Sequence, residues 1–345
     1  MTKVTIDDIA RRAGVSKTAV SFAFNKPDRL AAATVQNILA IAEELGYMPN
    51  PVARSMNTGR TGTIGVLVPQ PIPEIIRNPF LPEFLEGVGE VCTRVNLSLM
   101  IVPPVEGSMR RALVNAAVDG FLTLGLEEFK STMMVLRRRG VPFVTVDSDP
   151  IEGMPAVNID DQGGARAAMQ HILAHGHREI LILAIRSGKY GHYEQYAGTL
   201  RDRMQGYRKA LNAHGLDVDG RQVRLMECSS TEKGGRQIFR KVLKSGWRPS
   251  AVVAMSDIIA IGVMREALEA GLRVPADLSI AGFDNIPLSA WVNPPLTTVA
   301  QPLQKKGRLA AEILLQAIEG QSDPRHHVLP TKLVARKSVA APSAS

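Results

Sequence analysis

The residues in this sequence that are best able to do chemistry are carboxylates and an arginine close to strand-like apolar runs. Ser256 and Asp257 follow the run AVVAM, Asp284 follows LSIAGF, and Arg203 lies in the helical segment TLRDRMQGYRKAL. Two such carboxylates could serve as the acid and base of a glycoside hydrolase. Together with the arginine they could instead bind a polar small molecule, because converging hydrogen-bonding groups are typical of ligand sites. Since no nucleophile, base and orienting group form a recognisable set, ligand binding is favoured over an enzyme.

Three further side chains belong to the same candidate site. Gln70 follows the apolar run TIGVLVP, Phe80 closes the tripeptide NPF, and Asp147 follows PFVTV. In doubly wound folds, ligands bind in the crevice outside the carboxyl ends of the strands. We therefore expect these three residues to line a cleft opposite Arg203 and Asp284.

The elements that would position these residues alternate regularly beyond residue 62. The strand candidates are TIGVLVP (63–69), LSLMIVP (97–103), DGFLTLG (119–125), PFVTVDS (142–148), EILILA (179–184), AVVAMSD (251–257) and LSIAGFD (278–284). Amphipathic segments of about 12–18 residues separate them. This alternation predicts parallel sheets with helices on both faces. The expected fold class is α/β, with a core of two doubly wound subdomains and a ligand cleft between them.

Residues 5 to 46 have a different pattern, with helical periodicity and no alternation typical of strands. In TIDDIARRAGVSKTAVSFAFN, Thr5 can cap a helix with Asp8 three residues later, and a glycine ends that helix. Ser16 then caps a second helix, which buries Val20 and Phe24. Two short helices joined by a tight turn form either an ordinary helical hairpin or a helix-turn-helix, whose second helix enters the DNA major groove.

A conditional helix is predicted just after this region. Asn50 can cap it and Pro51 suits its first position, but it is less than two turns long. So short a helix is marginal alone, and we expect it to form only when docked against DNA and a partner hinge. Ala53 allows two such helices to approach closely, and Arg54 can reach phosphate or the narrow groove. A plain linker, with Met56 incidental, is the alternative.

The N-terminal motif is similar to that of the lactose-repressor (LacI/GalR) family of transcriptional regulators. The string T-I-x-D-I-A-x-x-A-G-V-S-x-x-x-V-S, followed by Asn25, matches the signature of that family position by position. The resemblance covers nearly the whole chain. It implies a three-helix helix-turn-helix headpiece and a core resembling periplasmic binding proteins.

The resemblance also implies which headpiece and hinge residues contact DNA. Lys17, Thr18 and Phe22 occupy base-reading positions. Phosphate-contacting or capping positions are occupied by Thr5, Ser16, Ser21 and Asn25. Phe22 replaces the polar residue common in the family, and we expect it to contact a thymine methyl group because it points away from the headpiece core. In the hinge, Asn50, Ala53 and Arg54 belong to the same DNA-binding set, and Met56 stands at the wedge position, where the family inserts a leucine between central base pairs.

In the core, the resemblance assigns ligand contacts to Arg203 and Asp284. Ser256 stands where many members have asparagine, and Ser229 falls roughly where some sugar-responsive members have an aromatic side chain. Tyr190, Tyr193 or Tyr196 could supply a stacking face instead, or that segment could be a solvent-exposed loop. The effector implied by the resemblance is a sugar or sugar derivative, and the family contains both inducible and corepressor-dependent repressors.

Other candidate motifs are interpreted as structural. His171, His175 and His177 have metal-like spacing but span the end of a helix, so neither a metal nor a cofactor is expected. Cys92 and Cys228 have neither a disulfide framework nor metal spacing, and both are expected to be reduced. The tripeptide SGK at 187–189 lacks the glycine spacing of a phosphate loop.

Three regions follow from these patterns. We expect a headpiece at 1–47, whose third helix (Ala32 to Leu45) is purely structural, and a hinge helix and linker at 48–61. An effector-binding and dimerisation core then occupies 62–345. Within it we expect one subdomain of about 62–160 with 286–320 and a second of 161–285 with 321–340.

Composition agrees with a DNA-binding protein. Lys plus Arg outnumber Asp plus Glu by 41 to 33, a formal charge of +8 that suits a polyanionic partner. No secretory signal pattern or long apolar run is visible, so a cytoplasmic protein without a membrane partner is expected. The C-terminal RKSVAAPSAS has no leucine heptads, which favours a homodimer over a tetramer. A solute-binding protein without regulatory role is the alternative function.

Overall fold

The computed structural model describes residues 4–125, 129–186, 193–218, 220–321 and 324–343. The chain forms two compact units, Met1–Thr61 and Gly62–Ser345. Among the residues described, no helix is both long and apolar enough to cross a membrane.

The first unit is helical. It contains α1 (Ile6–Ala13), α2 (Lys17–Asn25), a 3-10 turn (Pro27–Arg29), α3 (Ala32–Glu44) and α4 (Pro51–Thr58). Helices α1, α2 and α3 pack around Ile9, Val20 and Ile38, all fully buried. Gly14 ends α1 with φ of 67°, a left-handed conformation that glycine adopts without strain, and α2 begins three residues later at Lys17. This is the predicted helix-turn-helix arrangement.

The second unit is an α/β fold with two six-stranded sheets. Its strands are β1 (Thr63–Leu67), β2 (Ser98–Val102), β3 (Gly120–Leu124), β4 (Phe143–Val146), β5 (Ala156–Ile159), β6 (Ile180–Ile185), β7 (Val223–Cys228), β8 (Ala251–Ala254), β9 (Ser279–Asp284), β10 (Thr297–Ala300), β11 (His326–Leu329) and β12 (Lys332–Val334). Its helices are α5 (Ile72–Ile76), α6 (Phe80–Arg94), α7 (Met109–Asn115), α8 (Phe129–Arg139), α9 (Asp161–Ala174), α10 (Gly198–Asn212), α11 (Glu232–Lys244), α12 (Asp257–Glu269), α13 (Pro287–Trp291) and α14 (Leu303–Ile318). A 3-10 turn occupies Tyr193–Gln195.

Both sheets have the doubly wound order expected from the sequence. The first sheet has the order β11-β5-β4-β3-β1-β2 and the second β12-β10-β9-β8-β6-β7. The paired strands run parallel, apart from the antiparallel pair of β10 and β12. In each sheet the strand order reverses beside the first strand, and ligands of such folds bind at this switch point. The predicted two-subdomain α/β core is therefore present.

The subdomain boundaries differ from those expected at the C-terminal end. The structure assigns β10 (Thr297–Ala300) to the second sheet, although 286–320 was expected in the first subdomain. It also assigns β11 (His326–Leu329) to the first sheet, where it pairs with β5, although 321–340 was expected in the second. Helix α14, between them, packs on β3, β4 and β5 of the first sheet. The chain therefore crosses between the subdomains three times: between β5 and β6, between β10 and α14, and between β11 and β12.

Candidate functional site

A cluster of buried charged side chains lies at the carboxyl ends of the strands in the second unit. At its centre, Arg203 on α10 donates from Nε to Oδ1 of Asp161 on α9 over 2.7 Å. The guanidinium also donates to the Met255 carbonyl and lies 3.9 Å from Oδ1 of Asp284. Its carbon stacks 3.7 Å above the centre of the Phe283 ring. The guanidinium is thus held on three sides and cannot rearrange freely.

A second set of contacts reaches the first subdomain. Lys306 on α14 donates from Nζ to Oδ2 of Asp147 over 2.6 Å and to Oε1 of Gln301 over 2.7 Å. Gln301 in turn donates from Nε2 to Oδ1 of Asp284 over 2.6 Å. Asp147 follows β4, whereas Asp284 ends β9. A chain of hydrogen bonds therefore connects the two candidate ligand-binding carboxylates.

Close helix packing brings these residues together. Gly206 on α10 contacts the backbone of α9, where an added Cβ would lie 2.3 Å from the carbonyl oxygen of Gln162. Gly307 on α14 contacts α6 in the same way, with 2.1 Å to the carbonyl oxygen of Phe84. Only glycine permits such an approach, and it holds α10 against α9 and α14 against α6. Because Lys306 directly precedes Gly307, this close approach of α14 to α6 leaves its side chain fully buried.

The backbone is strained where the carboxylates emerge. Asp147 has φ of 52°, Asp284 of 121° and the following Asn285 of 59°, values that side chains other than glycine seldom adopt. Arg336 holds the second of these turns by donating to Oδ1 of Asn285 over 2.6 Å. A strained backbone conformation persists only where the surrounding structure imposes it, and such residues are common at ligand-binding and active sites. Their position at two strand ends supports a ligand-binding role for this edge.

Burial raises the pKa of two carboxyl groups in the cluster, those of Asp161 and Asp284. The pKa of Asp161 is raised to about 6, mainly by burial and also by the charge of Asp147, against the attraction of Arg203. The pKa of Asp284 is likewise raised to about 6 by burial, against the attraction of Arg203. Carboxylates balanced by neighbouring cations in this way are strong acceptors for ligand hydroxyl groups.

Asp257 has an internal role that the sequence did not predict. Its Oδ1 accepts a hydrogen bond from the Thr298 hydroxyl over 2.5 Å, and its Oδ2 accepts from the Ile286 amide over 3.0 Å. Burial and the charge of Asp284 raise its pKa well above the usual value. Both oxygens of Asp257 therefore accept hydrogen bonds within the protein, and the bond from the Ile286 amide holds the backbone that follows the Asp284–Asn285 turn.

The other predicted ligand-binding residues lie around the cluster with different degrees of contact. Phe80 begins α6 and has Lys306 Nζ 4.8 Å from its ring centre. Ser256 is buried at the N-cap position of α12, where its hydroxyl lies 3.3 Å from the Ser230 hydroxyl and makes no bond to the helix amides. Gln70 is exposed in the turn after β1, and no hydrogen bond joins it to the residues that the structure describes. The structure therefore brings Phe80 into the cluster and leaves Gln70 outside it.

The proposed aromatic stacking face is not found among the described tyrosines. Tyr196 is buried, and its hydroxyl donates to Glu227 over 2.6 Å, so its ring is part of the core. Tyr193 is half-buried beneath the guanidinium of Arg208. Tyr190 lies outside the described residues. Ser229 is exposed and bonds to the Thr231 hydroxyl over 3.1 Å.

Asp161, Gln301 and Lys306 were not predicted from the sequence. The signal for Lys306 is its helical phase, because Leu303, three residues before, and Ala310, four residues after, are both buried. A lysine on the buried stripe of an amphipathic helix must find a partner. Asp161 gives no comparable signal. It occupies the first turn of α9, where the helix dipole favours a carboxylate whether or not it belongs to a binding site.

In the first unit, the predicted base-reading residues lie on the accessible side of α2. Lys17 and Thr18 are exposed, and Lys17 lies 2.6 Å from Oδ1 of Asp7. Phe22 is half-buried and lies outside the headpiece core, with the Arg29 guanidinium 5.5 Å from its ring centre. Phe24, two residues on, packs against Tyr47 instead. Helix α2 therefore separates a core-facing Phe24 from an outward-facing Phe22.

The capping residues make local hydrogen bonds. The Thr5 hydroxyl and amide both donate to Oδ2 of Asp8, over 2.7 and 3.0 Å, and these bonds lower the pKa of that carboxyl group. Ser16 accepts from the Ala19 amide over 3.1 Å. Asn25 donates from its side chain to the Ser21 carbonyl over 3.0 Å. These contacts fix where α1 and α2 begin and where α2 ends.

Helix α4 (Pro51–Thr58) occupies the segment where the sequence predicts a short hinge helix. Its ends are well capped, because Asn50 accepts from the Val52 amide over 3.0 Å and Gly59 closes the helix in a left-handed conformation. Its apolar side chains are unpartnered, with Val52 65% exposed and Met56 81% exposed. Ala53 and Arg54 are exposed as well.

The remaining sequence motifs are structural. His175 bonds through Nδ1 to the His171 carbonyl, and buried His177 bonds to Ser250 and to the Ala340 carbonyl. Within the described parts of the chain, no group of three or more potential metal ligands is assembled. Cys92 and Cys228 are both free and buried.

Comparison with known proteins gives consistent matches to both units. The sequence model of bacterial regulatory proteins, lacI family, matches residues 5–50, and that of the periplasmic binding protein-like domain matches residues 169–339. The chain is 34% identical to the HTH-type transcriptional repressor PurR of Photobacterium profundum, over 97% of this chain and 98% of that protein.

Solved structures agree. The lac repressor dimer bound to operator and the anti-inducer ONPF superposes with a TM-score of 0.82 at 26% identity, covering 99% of this chain and 100% of that chain. The transcriptional regulator CelR–cellobiose complex gives a TM-score of 0.70 at 29% identity, covering 97% of this chain and 100% of that chain. These relatives are named as regulators and not as enzymes, and the matches include the N-terminal helices, which a solute-binding protein alone does not need.

Proposed function

Because the chain belongs to the LacI family of bacterial regulatory proteins, which makes it a DNA-binding transcriptional regulator, we propose that it is a homodimeric repressor in the cytoplasm. Each recognition helix would read one half-site of a pseudo-palindromic operator, so that operator symmetry mirrors protein symmetry. The effector would be a sugar or sugar derivative bound between the two core subdomains. The observation that carries the effector proposal is the buried array of Arg203, Asp161 and Asp284.

On the DNA side, the proposal assigns base reading to Lys17, Thr18 and Phe22. Lys17 and Thr18 can hydrogen-bond to base edges in the major groove, and the half-buried Phe22 ring can contact a thymine methyl group. Phosphate contacts would come from Thr5, Ser16, Ser21 and Asn25. Thr5 and Ser16 are the N-cap residues of α1 and α2, Asn25 ends α2, and Ser21 lies one turn before Asn25. Contacts from these positions would set the register on the duplex.

The hinge helix supplies the second DNA contact. Met56 and Val52 are largely exposed, and exposed apolar side chains on a short helix need a partner surface. In the proposal, paired hinge helices bind the minor groove, where Met56 wedges between base pairs and bends the duplex at a cost of about a few kcal/mol. Asn50 holds the start of the helix, Ala53 permits close approach of the second hinge, and Arg54 contacts phosphate.

On the effector side, the array offers both donors and acceptors. Arg203 presents guanidinium hydrogens, Asp284 and Asp147 present carboxylate oxygens, and Oδ1 of Asp147 is buried with no hydrogen-bond partner in the described residues. A polyhydroxy ligand can donate to the carboxylates and accept from the guanidinium at once. The cellobiose in the CelR complex is a ligand of this chemical class. Phe80 and Ser256 border the array.

Effector binding would control DNA affinity through the relative angle of the two subdomains. The hinge helix follows directly on the headpiece and precedes β1 by four residues, Gly59 to Gly62. A change of angle at the dimer interface would therefore alter the spacing of two hinge helices that are individually marginal. A coupling free energy of about 1–3 kcal/mol changes operator affinity roughly 5- to 150-fold.

The test has two parts. In vitro selection of DNA by the purified full-length chain should yield a pseudo-palindrome with a flexible central step. Thermal stabilisation and calorimetry with a panel of unmodified sugars should then identify a ligand, and Arg203→Met should lose its binding while still selecting the same DNA. Enrichment of no sequence at moderate salt would overturn the DNA-binding assignment, and binding of no sugar would overturn the effector class.

A further inference from the structure

Lys306 is a fully buried lysine in a helix that otherwise buries apolar residues. Its exposed fraction is 0%, whereas the adjacent Lys305 is exposed. Burying an ammonium is costly unless it is paired and hydrogen-bonded. The compensating contacts are Asp147 at 2.6 Å, the Gln301 amide oxygen at 2.7 Å and the face of Phe80 at 4.8 Å. These three contacts compensate for the burial of the Lys306 ammonium group and make Lys306 part of the buried cluster.

The two partners of Lys306 belong to different subdomains. Asp147 follows β4 of the first sheet, against which α14 packs. Gln301 follows β10 of the second sheet, and its backbone amide donates to the Asp284 carbonyl. Lys306 therefore contacts residues of both subdomains, near the point where the chain passes from β10 to α14.

The orientation of the Gln301 amide depends on these neighbours. A primary amide has one acceptor oxygen and one donor nitrogen, so an ammonium on one side and a carboxylate on the other select a single orientation. The oxygen accepts from Lys306, and the nitrogen donates to Oδ1 of Asp284. Without the ammonium, the oxygen would lose its charged donor and the amide would be free to rotate away from Asp284.

We propose that Lys306 is a positioning residue for the effector site, acting through Gln301 to hold Asp284 of the opposite subdomain in its ligand-binding position. This inference rests on the proposed effector function. It deepens that function by making the affinity for the effector depend on a buried ion pair in the other subdomain. Lys306 itself does not contact the ligand in this scheme.

The charges facing Asp284 come from each element packed around it. Asp161 lies on α9, Arg203 on α10, Asp257 on α12 and Asp147 after β4. Burial raises the pKa of both Asp161 and Asp284, and the positive charges of Arg203 and Lys306 act against that rise. Loss of the Lys306 charge should consequently move both pKa values further up.

The first experiment needs no ligand. The thermal midpoint of the full-length chain is measured across pH 5 to 8 for the wild type, Lys306→Met and Lys305→Met. Carboxyl groups with a raised folded-state pKa make stability fall as pH rises, so Lys306→Met should steepen that fall while Lys305→Met follows the wild type. In an Asp284→Asn background the added steepness should shrink. An unchanged slope in Lys306→Met, or an undiminished effect in the Asp284→Asn background, would overturn the proposal.

The second experiment measures affinity for whichever of ribose, glucose, galactose and cellobiose most stabilises the wild type. Lys306→Met should weaken binding at least tenfold, and Lys306→Gln, which keeps an N–H donor, should recover part of the loss. In a Gln301→Ala background, Lys306→Met should weaken binding less than twofold. Equal losses with and without Gln301 would contradict action through that amide.

The two proposals fail in different ways. If none of the four sugars binds the wild type, the sugar-effector proposal fails, while the pH slopes still decide the role of Lys306. If Lys306→Met does not fold, Lys306→Gln, which removes the charge but keeps a donor for Asp147 and Gln301, replaces it. Its pH slope should still be steeper than that of Lys305→Met, and its smaller loss of binding should again disappear in the Gln301→Ala background.

Discussion

Arg203 donates a hydrogen bond of 2.7 Å to Asp161, and both side chains are buried. The bond joins the two neighbouring helices α10 and α9 and leaves the Nη end of the guanidinium directed at Met255 and Asp284. A buried charge with a fixed partner is already oriented before a ligand arrives, which reduces the entropy lost on binding.

The first prediction concerns this pair. Arg203→Met leaves the Asp161 carboxyl group buried without its cation, so we expect a loss of about 3–5 kcal/mol in the free energy of unfolding and loss of effector binding. Denaturant unfolding and calorimetry measure the two effects. Lys209→Met, on an exposed position of the same helix, is the control and should change stability by less than about 0.5 kcal/mol. Equal effects of the two substitutions would contradict the account.

The second prediction concerns pH. Asp161 has a pKa raised by burial to about 6, above its value in the unfolded chain. The folded protein therefore binds protons more tightly, and this carboxyl group makes stability fall as pH rises from about 4 to about 6. Asp161→Asn should flatten the dependence of unfolding free energy on pH in that window. A slope identical to that of the wild type would show that Asp161 titrates normally.

The third prediction separates two phenylalanines of α2. Phe22→Ala should leave the unfolding transition nearly unchanged but reduce discrimination at one thymine-containing position of the operator by about 1–3 kcal/mol. Phe24→Ala should instead destabilise the headpiece, because Phe24 packs against Tyr47 at 5.6 Å between ring centres. Binding to the selected operator and to single-base variants distinguishes the two. Uniform weakening on all sequences by Phe22→Ala would point to a phosphate contact or a folding defect.

The fourth prediction concerns the hinge. Met56 is 81% exposed, so Met56→Ala should not alter the thermal midpoint, yet it should weaken operator binding about tenfold or more by removing the wedge. Met56→Leu should preserve binding. Met48→Ala is the matched control, since Met48 is 80% exposed but precedes the hinge helix. Similar losses for Met48→Ala and Met56→Ala would argue against a specific wedge.

Local sequence pattern predicted the parts of the fold that depend on neighbours along the chain. The runs that became β1, β4 and β9 were recognisable because buried parallel strands are continuously apolar. Strand β11 was not, because His326 and His327 are polar and its partner β5 lies far away in sequence. The assignment of β11 to the second subdomain was wrong for the same reason, since pairing over such distances leaves no periodic signal. The wrong assignment of β10 has another cause, because its partner β9 is the preceding strand along the chain.

The residues of the candidate site divide in the same way, into those that local sequence indicates and those that only the fold brings together. The position of Asp147 and Asp284 at the carboxyl ends of strands could be predicted because both directly follow apolar runs in the sequence. Asp257 has the same sequence context, but Thr298 and Ile286 occupy its oxygens, and only the fold reveals them. Lys306 resembles an ordinary surface lysine beside Lys305, and its burial depends on the close approach of α14 to α6 at Gly307.

The central claim is that one ligand in the core changes affinity for DNA at the headpiece. The most direct measurement is fluorescence anisotropy of the selected operator, titrated with the full-length chain in the absence and presence of the saturating sugar. The account predicts a change in operator affinity of roughly 5- to 150-fold, lost in Arg203→Met. Sugar binding that leaves the operator affinity unchanged would contradict it.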